Sequence, residues 1–340
     1  MERQAQADLG VKPFINWIGG KEKLQRIICS TFPQNIRRYV EHFGGSGAIL
    51  LGRRRKRGVM EVYNDYNSDL VKLFLCVKKR FVRLSEELKF FPLHSEEEFK
   101  LYRDILNHVI VEPDFTRSEI AAVDRNFTGA QRDELIEILQ GRAELWDVRR
   151  AAAFNIMNRG CYSGNMDSFG VRSINFGDFV KTMEAASRRL TGVPILNRDC
   201  VASIRLNDKP GTLHYCDPPY YTTEDKYKVT FGKQDHRRLH DALRECVGYV
   251  VTSYNCCDYI CDLYSDFYIL KFARKNGMAK RKGAMFEEVV LTNYDPRPMI
   301  ELNQSQMSMF GPPDLEQENA KLTLIHKPLE PTEWEKKNLK

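Results

Sequence analysis

The chain has 340 residues, two to three times the usual domain length of about 100–150, so two lobes or one core with a large insertion are expected. Hydrophobic residues make up 42% and charged residues 29%, which excludes wholesale disorder. No apolar run approaches the ~20 residues of a membrane span, and Met1–Gly10 is too polar for a signal peptide, so a cytoplasmic protein is expected. Nine scattered cysteines, an odd number, fit free thiols better than a disulfide scaffold. The net charge of +6 is a mild excess that suits a polyanionic partner.

Lys21–Thr31 has helical spacing at Leu24, Ile27 and Ile28 and ends before Pro33. Tyr39–Glu41 reads as a short strand running into Phe43-Gly44-Gly45-Ser46-Gly47. A helix through Ala48, Ile49 and Leu50 follows, then the five cations Arg53–Arg57, read as a solvated helix end. Val59–Tyr63 is a second strand with Asn64-Asp65-Tyr66-Asn67 at its carboxyl end, and Ser68 to about Lys79 is helical. Strand, glycine turn, helix, strand, acid is the order of a nucleotide-binding α/β half.

From Phe81 to Arg189 charged helical stretches dominate, over Ser95–Val109, Ala130–Gln140 and Ala143–Met157. An irregular segment rich in Gly, Asn and Ser follows over Asn158–Asp178. Residues 81–189 are therefore read as an inserted helical lobe, and 11–80 with 190–297 as the α/β core. Strand-like runs resume at Thr212–Cys216, Tyr249–Ser253, Phe267–Phe272 and Glu287–Tyr294. After Pro296 periodicity is lost, and 298–340 read as a tail.

The strongest local signal is Asp217-Pro218-Pro219-Tyr220, directly after the strand Leu213–Cys216. Two prolines fix φ and remove two backbone donors, leaving carbonyls to face a cleft at a strand's carboxyl end. An exocyclic base amine has two N–H bonds to place. One Asp217 oxygen and the Pro218 carbonyl can accept both, which turns the nitrogen lone pair towards an electrophile. Tyr220 offers a face on which an extruded base can stack. Phe43-x-Gly45-x-Gly47 permits close backbone approach to a ligand, and Asp65, at the end of the next strand, can accept two ribose hydroxyls. The turn lacks the Gly-Lys-Ser/Thr ending of a phosphate loop, so a nucleoside such as S-adenosylmethionine fits better than ATP.

Four motifs, in order, carry a resemblance: Pro13–Lys21 (Pro-Phe-Ile-Asn-Trp-Ile-Gly-Gly-Lys), Glu41–Gly47, Asn64–Asp69 and Asp217–Tyr220. Together they resemble Dam-type DNA adenine-N6 methyltransferases of the D12 class, in the α arrangement, from about Phe14 to Tyr294. Asn155–Gly170 and Phe286–Tyr294 are also similar to family segments. The resemblance implies a Rossmann-like class I core, dependent on S-adenosylmethionine, with an inserted, mainly helical target-recognition domain, in a bacterial or phage-encoded enzyme. It implies that Trp17 and Lys21 close over the methionine part of the cofactor, that Glu41 faces its ammonium, and that Phe43, Gly45 and Gly47 cradle it. Asp65 would hold the ribose, Asp199 and Cys200 would read the cofactor adenine, and Asp217, Pro218 and Tyr220 would bind the target base. Transfer would be direct and in line, on double-stranded DNA, with no metal.

The resemblance also places DNA contacts in the insertion, at Arg159, Tyr162, Ser163 and Asn165. Tyr162 would fill the gap left by the flipped base. The loop Tyr-Ser-Gly-Asn-Met-Asp lacks the Asn and the terminal basic residue that accompany GATC recognition, so another recognition sequence is favoured. Lys280, Arg281 and Lys282, between two strand segments, suit phosphate contact. Cys256, Cys257 and Cys261 lack a second ligand pair at zinc spacing, and His236 and His240 are read as surface residues. Gln306-Met307-Ser308-Met309-Phe310 looks like a peptide that docks on the bacterial sliding clamp; its plainer alternative is an apolar strip folded on the core. Amino-N4 cytosine methylation needs the same acceptors, although Asp before Pro-Pro favours adenine. A base-N methyltransferase of rRNA is a further alternative, opposed by the Trp17–Lys21 segment and the long insertion.

Overall fold

Short runs of aliphatic and aromatic residues form the strands β1 (Arg38–Glu41), β2 (Met60–Asn64), β3 (Ile195–Leu196), β4 (Thr212–Cys216), β5 (Tyr249–Asn255), β6 (Tyr268–Lys275), β7 (Met285–Thr292) and β8 (Thr323–His326). The structure is a computed structural model that describes residues 10–90, 96–109, 111–143, 146–160, 176–221, 231–275, 285–308 and 322–338. The strands join one sheet in the order β3-β2-β1-β4-β5-β7-β6-β8. β3, β2, β1, β4 and β5 run parallel, and β7, β6 and β8 close the far side in antiparallel fashion. All five residues of β4 are buried, as a parallel strand covered on both faces requires. This is the Rossmann-like α/β class that the sequence order implies.

The chain divides into two compact units, Met1–Lys12 with Gly20–Tyr66 and Gly192–Lys340, and Pro13–Gly19 with Asn67–Thr191. The sheet belongs to the first. The helix Ser68–Lys79, expected with the core, belongs to the second, as does the Pro13–Gly19 segment.

Three expectations for the first unit are corrected. The C-terminal stretch is not a trailing tail. β8 pairs with β6, which covers backbone groups that an edge strand would leave open. Trp334, in the helix Glu333–Asn338, packs its ring 4.9 Å from Tyr249 and 5.9 Å from Tyr294. His236 and His240 are buried, because they share the stripe of Leu239 and Leu243 on the helix Lys233–Glu245. His236 Nδ1 lies 2.9 Å from the Tyr254 hydroxyl and His240 Nε2 2.9 Å from Asp266, so neither ring is buried unsatisfied. Arg53 is likewise no solvated cation: it stacks 4.3 Å from the Tyr39 ring and lies 3.7 Å from Glu61, which is 1% exposed.

The second unit is helical where described. Its helix Trp146–Gly160 is buried along most of its length, from Val148 to Asn158, and packs against Ser68–Lys79, Phe81–Glu87 and Glu96–Leu106. Two arginines in that buried helix are paired, Arg149 with Glu87 and Glu119, and Arg150 with Asp69 at 2.7 Å. The helix Glu112–Asn126 was not anticipated, although Pro113 in its first turn is a start signal.

Changing Trp334 to Ala removes the aromatic cover over Tyr249 and Tyr294. Urea denaturation should register a loss of about 3 kcal/mol, the scale of large-to-small truncation at buried sites.

Candidate active site

β1 and β4 are neighbours, with Glu41 in register with Tyr215, although 174 positions separate them. The strand order reverses here, and the crevice beyond the carboxyl ends is where open α/β sheets bind ligands. Phe43–Gly47 leaves β1 and folds back against β2. The Gly44 N–H donates to the Asn64 carbonyl (2.8 Å), the Gly45 N–H to Asp65 Oδ2 (2.9 Å), and the Tyr63 hydroxyl to the Gly45 carbonyl (2.8 Å). A Cβ on Gly44 would sit 2.2 Å from the Tyr63 ring, and Gly45 and Gly47 have φ of 50° and 66°. Gly44 thus has no room for a side chain, and the left-handed backbone at Gly45 and Gly47 favours glycine. Asn64, fully buried, donates to the carbonyls of His42 and Arg198 and so ties the β1 end to the segment before Asp199.

Glu41 is 2% exposed and accepts from the Tyr39 hydroxyl (3.0 Å) and the Leu50 N–H (2.8 Å). Burial pushes its carboxyl up to about 8, against the pull of those two donors. Asp199 caps the helix Cys200–Asn207 through the Val201 and Ala202 N–H groups. It also takes both guanidinium nitrogens of Arg238, at 2.9 and 2.8 Å. Burial alone would raise its pKa, but the Arg238 pair outweighs that and holds it low. The Cys200 thiol is buried beside it and pushed up to about 12 by that burial.

At the β4 end, the Lys21 ammonium is 4% exposed and lies 2.7 Å from Asp217 Oδ2 and 4.9 Å from the Tyr220 ring centroid. An N–H donor thus already sits between the acid and the aromatic face. Asp217 Oδ1 accepts from Ser253 Oγ (2.9 Å), which is itself 3.0 Å from the Tyr215 hydroxyl. Burial raises the Asp217 pKa and the Lys21 charge opposes it. Pro218 is buried. The Tyr220 hydroxyl donates to Glu288 Oε2 (3.1 Å), and its ring is nearly parallel to Phe286, at 13° and 6.5 Å. Glu288 has no exposure.

The structure therefore brings Glu41, Phe43, Gly45, Gly47, Asp65, Asp199, Cys200, Asp217, Pro218 and Tyr220 into the first unit, on strand ends and the segments that follow them, together with Lys21, which precedes the short helix Glu22–Leu24. Lys21, expected over the cofactor, is in contact with Asp217. Trp17 falls in the second unit, 6.5 Å from the Phe154 ring. Arg159 is in that unit too; it donates to the Phe14 carbonyl (2.7 Å), stacks 3.8 Å from the Phe179 ring, and is lowered to about 10 by burial. Tyr162, Ser163, Asn165, Lys280, Arg281 and Lys282 lie outside the described residues. Sequence reasoning missed Ser253 and Glu288. Two acids next to the apolar run Val289–Leu291 in a strand candidate, one of which alternation turns inward, were a usable signal for Glu288; nothing local marks Ser253.

A second buried network supports the β1 and β4 ends. Ser203 Oγ lies 2.9 Å from His42 Nδ1, His42 Nε2 2.9 Å from His214 Nδ1, and His214 Nε2 3.2 Å from Asp208 Oδ1. Asp208 also accepts the Val247 and Gly248 N–H groups. Ionised Asp208 only accepts, so His214 donates to it through Nε2. The hydrogen-bond partners of His42 are Ser203 and His214.

A glycine turn after the first parallel strand and an acid-Pro-Pro-aromatic turn after the fourth define a base-amine methyltransferase fold. Residues 17–278 match the D12 class N6 adenine-specific DNA methyltransferases, and the chain belongs to this family. It is 26% identical over 321 residues to the type II methyltransferase M.MjaIII of Methanocaldococcus jannaschii, covering 84% of this chain and 99% of that protein. It is 35% identical over 245 residues to a DNA adenine methylase of Haemophilus influenzae, covering 68% of this chain and 73% of that protein. The family sets aside the cytosine and rRNA alternatives: the substrate is DNA and the modified base adenine. No described helix is long and apolar enough to cross a membrane.

The histidine network has a pH signature. Burial, and then the neighbouring His214, hold the His42 pKa well below its ordinary 6.5. The unfolded chain takes up a proton near pH 6.5 that the fold refuses. The stabilising contribution is therefore complete above about pH 6.5 and is lost as pH falls below it. Urea midpoints between about pH 7 and 5 should fall for the wild type and fall less steeply for His42→Gln.

Proposed function

We propose that the first unit binds S-adenosylmethionine and directs its methyl group to the N6 of an adenine extruded from double-stranded DNA. The observation that carries this reading is the Lys21 ammonium held at 2.7 Å by Asp217 and 4.9 Å from the centre of Tyr220, a geometry suited to an N–H donor with a flat apolar body. The cofactor fits the residues present. A turn with no room for a Cβ, the Asp65 carboxylate beside it and the buried acid Glu41 match a nucleoside that carries an ammonium group. When bound, S-adenosylmethionine supplies an electrophilic methyl on a sulfonium.

The protein's part is positioning. Lys21 withdraws from Asp217 Oδ2 as the base enters. Asp217 Oδ2 then accepts one N6–H bond and the Pro218 carbonyl the other, while Tyr220 carries the base face. With both N–H bonds held, the N6 lone pair is turned out of the ring plane, and Asp217 is placed to receive the proton that N6 sheds. Exclusion of water strengthens both hydrogen bonds.

The second unit is the DNA-reading part in this proposal, with Tyr162 as the wedge and Ser163 and Asn165 at base edges. Lys280, Arg281 and Lys282 add phosphate contacts. Arg159, engaged with Phe14 and Phe179, is the DNA contact of the set that lies among the described residues. A tether to a sliding clamp through Gln306–Phe310 also belongs to the proposal. The helix Arg297–Ser308 carries its first three residues, and Met309 and Phe310 lie outside the described residues.

Asp217→Ala should abolish methyl transfer to unmethylated genomic DNA while calorimetry still detects S-adenosylmethionine binding; near wild-type transfer would refute the assignment. Glu41 gives a second test. With its pKa near 8 it is largely protonated in the free protein at neutral pH, and an ammonium beside it restores the charged form. Cofactor binding should then release about one proton, read by calorimetry in buffers of different ionisation heat, and Glu41→Gln should release none.

A further inference from the structure

We propose that Ser253 is a positioning residue for methyl transfer: it holds one oxygen of Asp217 so that the other is presented to the amine of the target base. The inference rests on the reading of Asp217 as the base-binding acid.

The register of β4 with β5 sets Cys216 beside Thr252, which puts Ser253 next to Asp217. Tyr215 and Asp217 are two apart on one chain direction, so their side chains share a face. The three polar groups therefore meet on one face of two adjacent strands. Ser253 Oγ is 2.9 Å from Asp217 Oδ1 and 3.0 Å from the Tyr215 hydroxyl.

Counting protons fixes the direction of this chain. An ionised carboxylate only accepts, so Ser253 donates to Asp217, and its single proton is committed. The Tyr215 hydroxyl must then donate to Ser253. Tyr215 is 1% exposed and Ser253 fully buried, so neither hydroxyl can turn to bulk water instead.

The need for such a holder follows from the acid itself. The last torsion of aspartate is broad and two-fold, so a carboxylate without a fixed donor swings. Lys21 cannot serve during the reaction, because it sits on Oδ2, the oxygen the amine must take. Among the described residues, Ser253 is the donor that stays when Lys21 leaves. A hydroxyl serving only the packing of β5 would be satisfied by Tyr215 alone and would be indifferent to the ionisation of Asp217.

The test compares Ser253→Ala, Ser253→Thr, Tyr215→Phe and Asp217→Ala. Each is mixed in excess with unmethylated genomic DNA and labelled S-adenosylmethionine across a range of pH. Ser253→Ala should slow the single-turnover rate about tenfold to a hundredfold, the scale of one hydrogen bond to a charged group. It should also move the acid limb of the rate profile to higher pH, because the ionised acid loses a donor. The dissociation constant for S-adenosylmethionine, from calorimetry, should not change. Ser253→Thr, which keeps the hydroxyl, should recover most of the rate and the original acid limb. If Ser253→Ala fails to fold, Tyr215→Phe should still show a smaller shift of the limb in the same direction. Wild-type rate and limb in Ser253→Ala, with Asp217→Ala inactive, would overturn the inference and leave the base-site reading intact. Activity in Asp217→Ala would bring down both.

Discussion

The parallel pairing of β1 with β4 is the constraint from which the site follows. It sets Glu41 beside Tyr215, so the glycine turn that leaves one strand and the acid-Pro-Pro turn that leaves the other open into one crevice. Neither turn is a binding site by itself. The first is closed against β2 through Tyr63, Asn64 and Asp65, and the second is braced from β5 and β7 through Ser253 and Glu288. The five adjacent strands β2, β1, β4, β5 and β7 thus act as a frame whose ends carry the chemistry.

The first unit buries Glu41, Glu61 and Glu288 in its sheet and strand ends and half-buries Asp217, and their partners separate structure from function. Glu61 lies near Arg53 and Arg55, at 3.7 and 3.9 Å. Glu288 is used by the Tyr220 hydroxyl. Glu41 has two neutral hydrogen-bond donors, and its burial outweighs them and the more distant charge of Arg53, which lifts its pKa to about 8. Asp217 has a cation, but one on a long flexible stem that a substrate amine can replace. Acids left in want of charge, or held by an exchangeable one, mark the places where a cationic or N–H-bearing ligand completes the electrostatics. That both lie at the carboxyl ends of β1 and β4, while Glu61 sits near the opposite end of β2 beside Arg53, agrees with the proposed division between cofactor ammonium and base amine.

The Ser203–His42–His214–Asp208 chain links the same two strands from below. Each group has a hydrogen-bond partner, which gives a connected buried polar network. Such a network costs little when complete and much when one member changes. It keeps the residue before the glycine turn and the residue three before Asp217 at a constant separation.

What the sequence determined by itself was local: the glycine turn, the acid at the end of β2, the Asp217–Tyr220 turn, and the helix Ser68–Lys79, whose predicted and observed limits coincide. These are written in consecutive residues, because φ preferences, capping and alternation act over a few positions. Tertiary structure decided what depends on register between distant strands. Ser253 became a partner of Asp217, Glu288 a partner of Tyr220, and the C-terminal β8 an edge strand only once β5, β7 and β6 had been laid side by side. The same holds for His236 and His240, polar in composition yet buried, since Tyr254 and Asp266 reach their rings from elements that no local pattern connects to them. A strand sequence specifies which side chains share a face, but which neighbour meets that face is set by packing of the whole sheet.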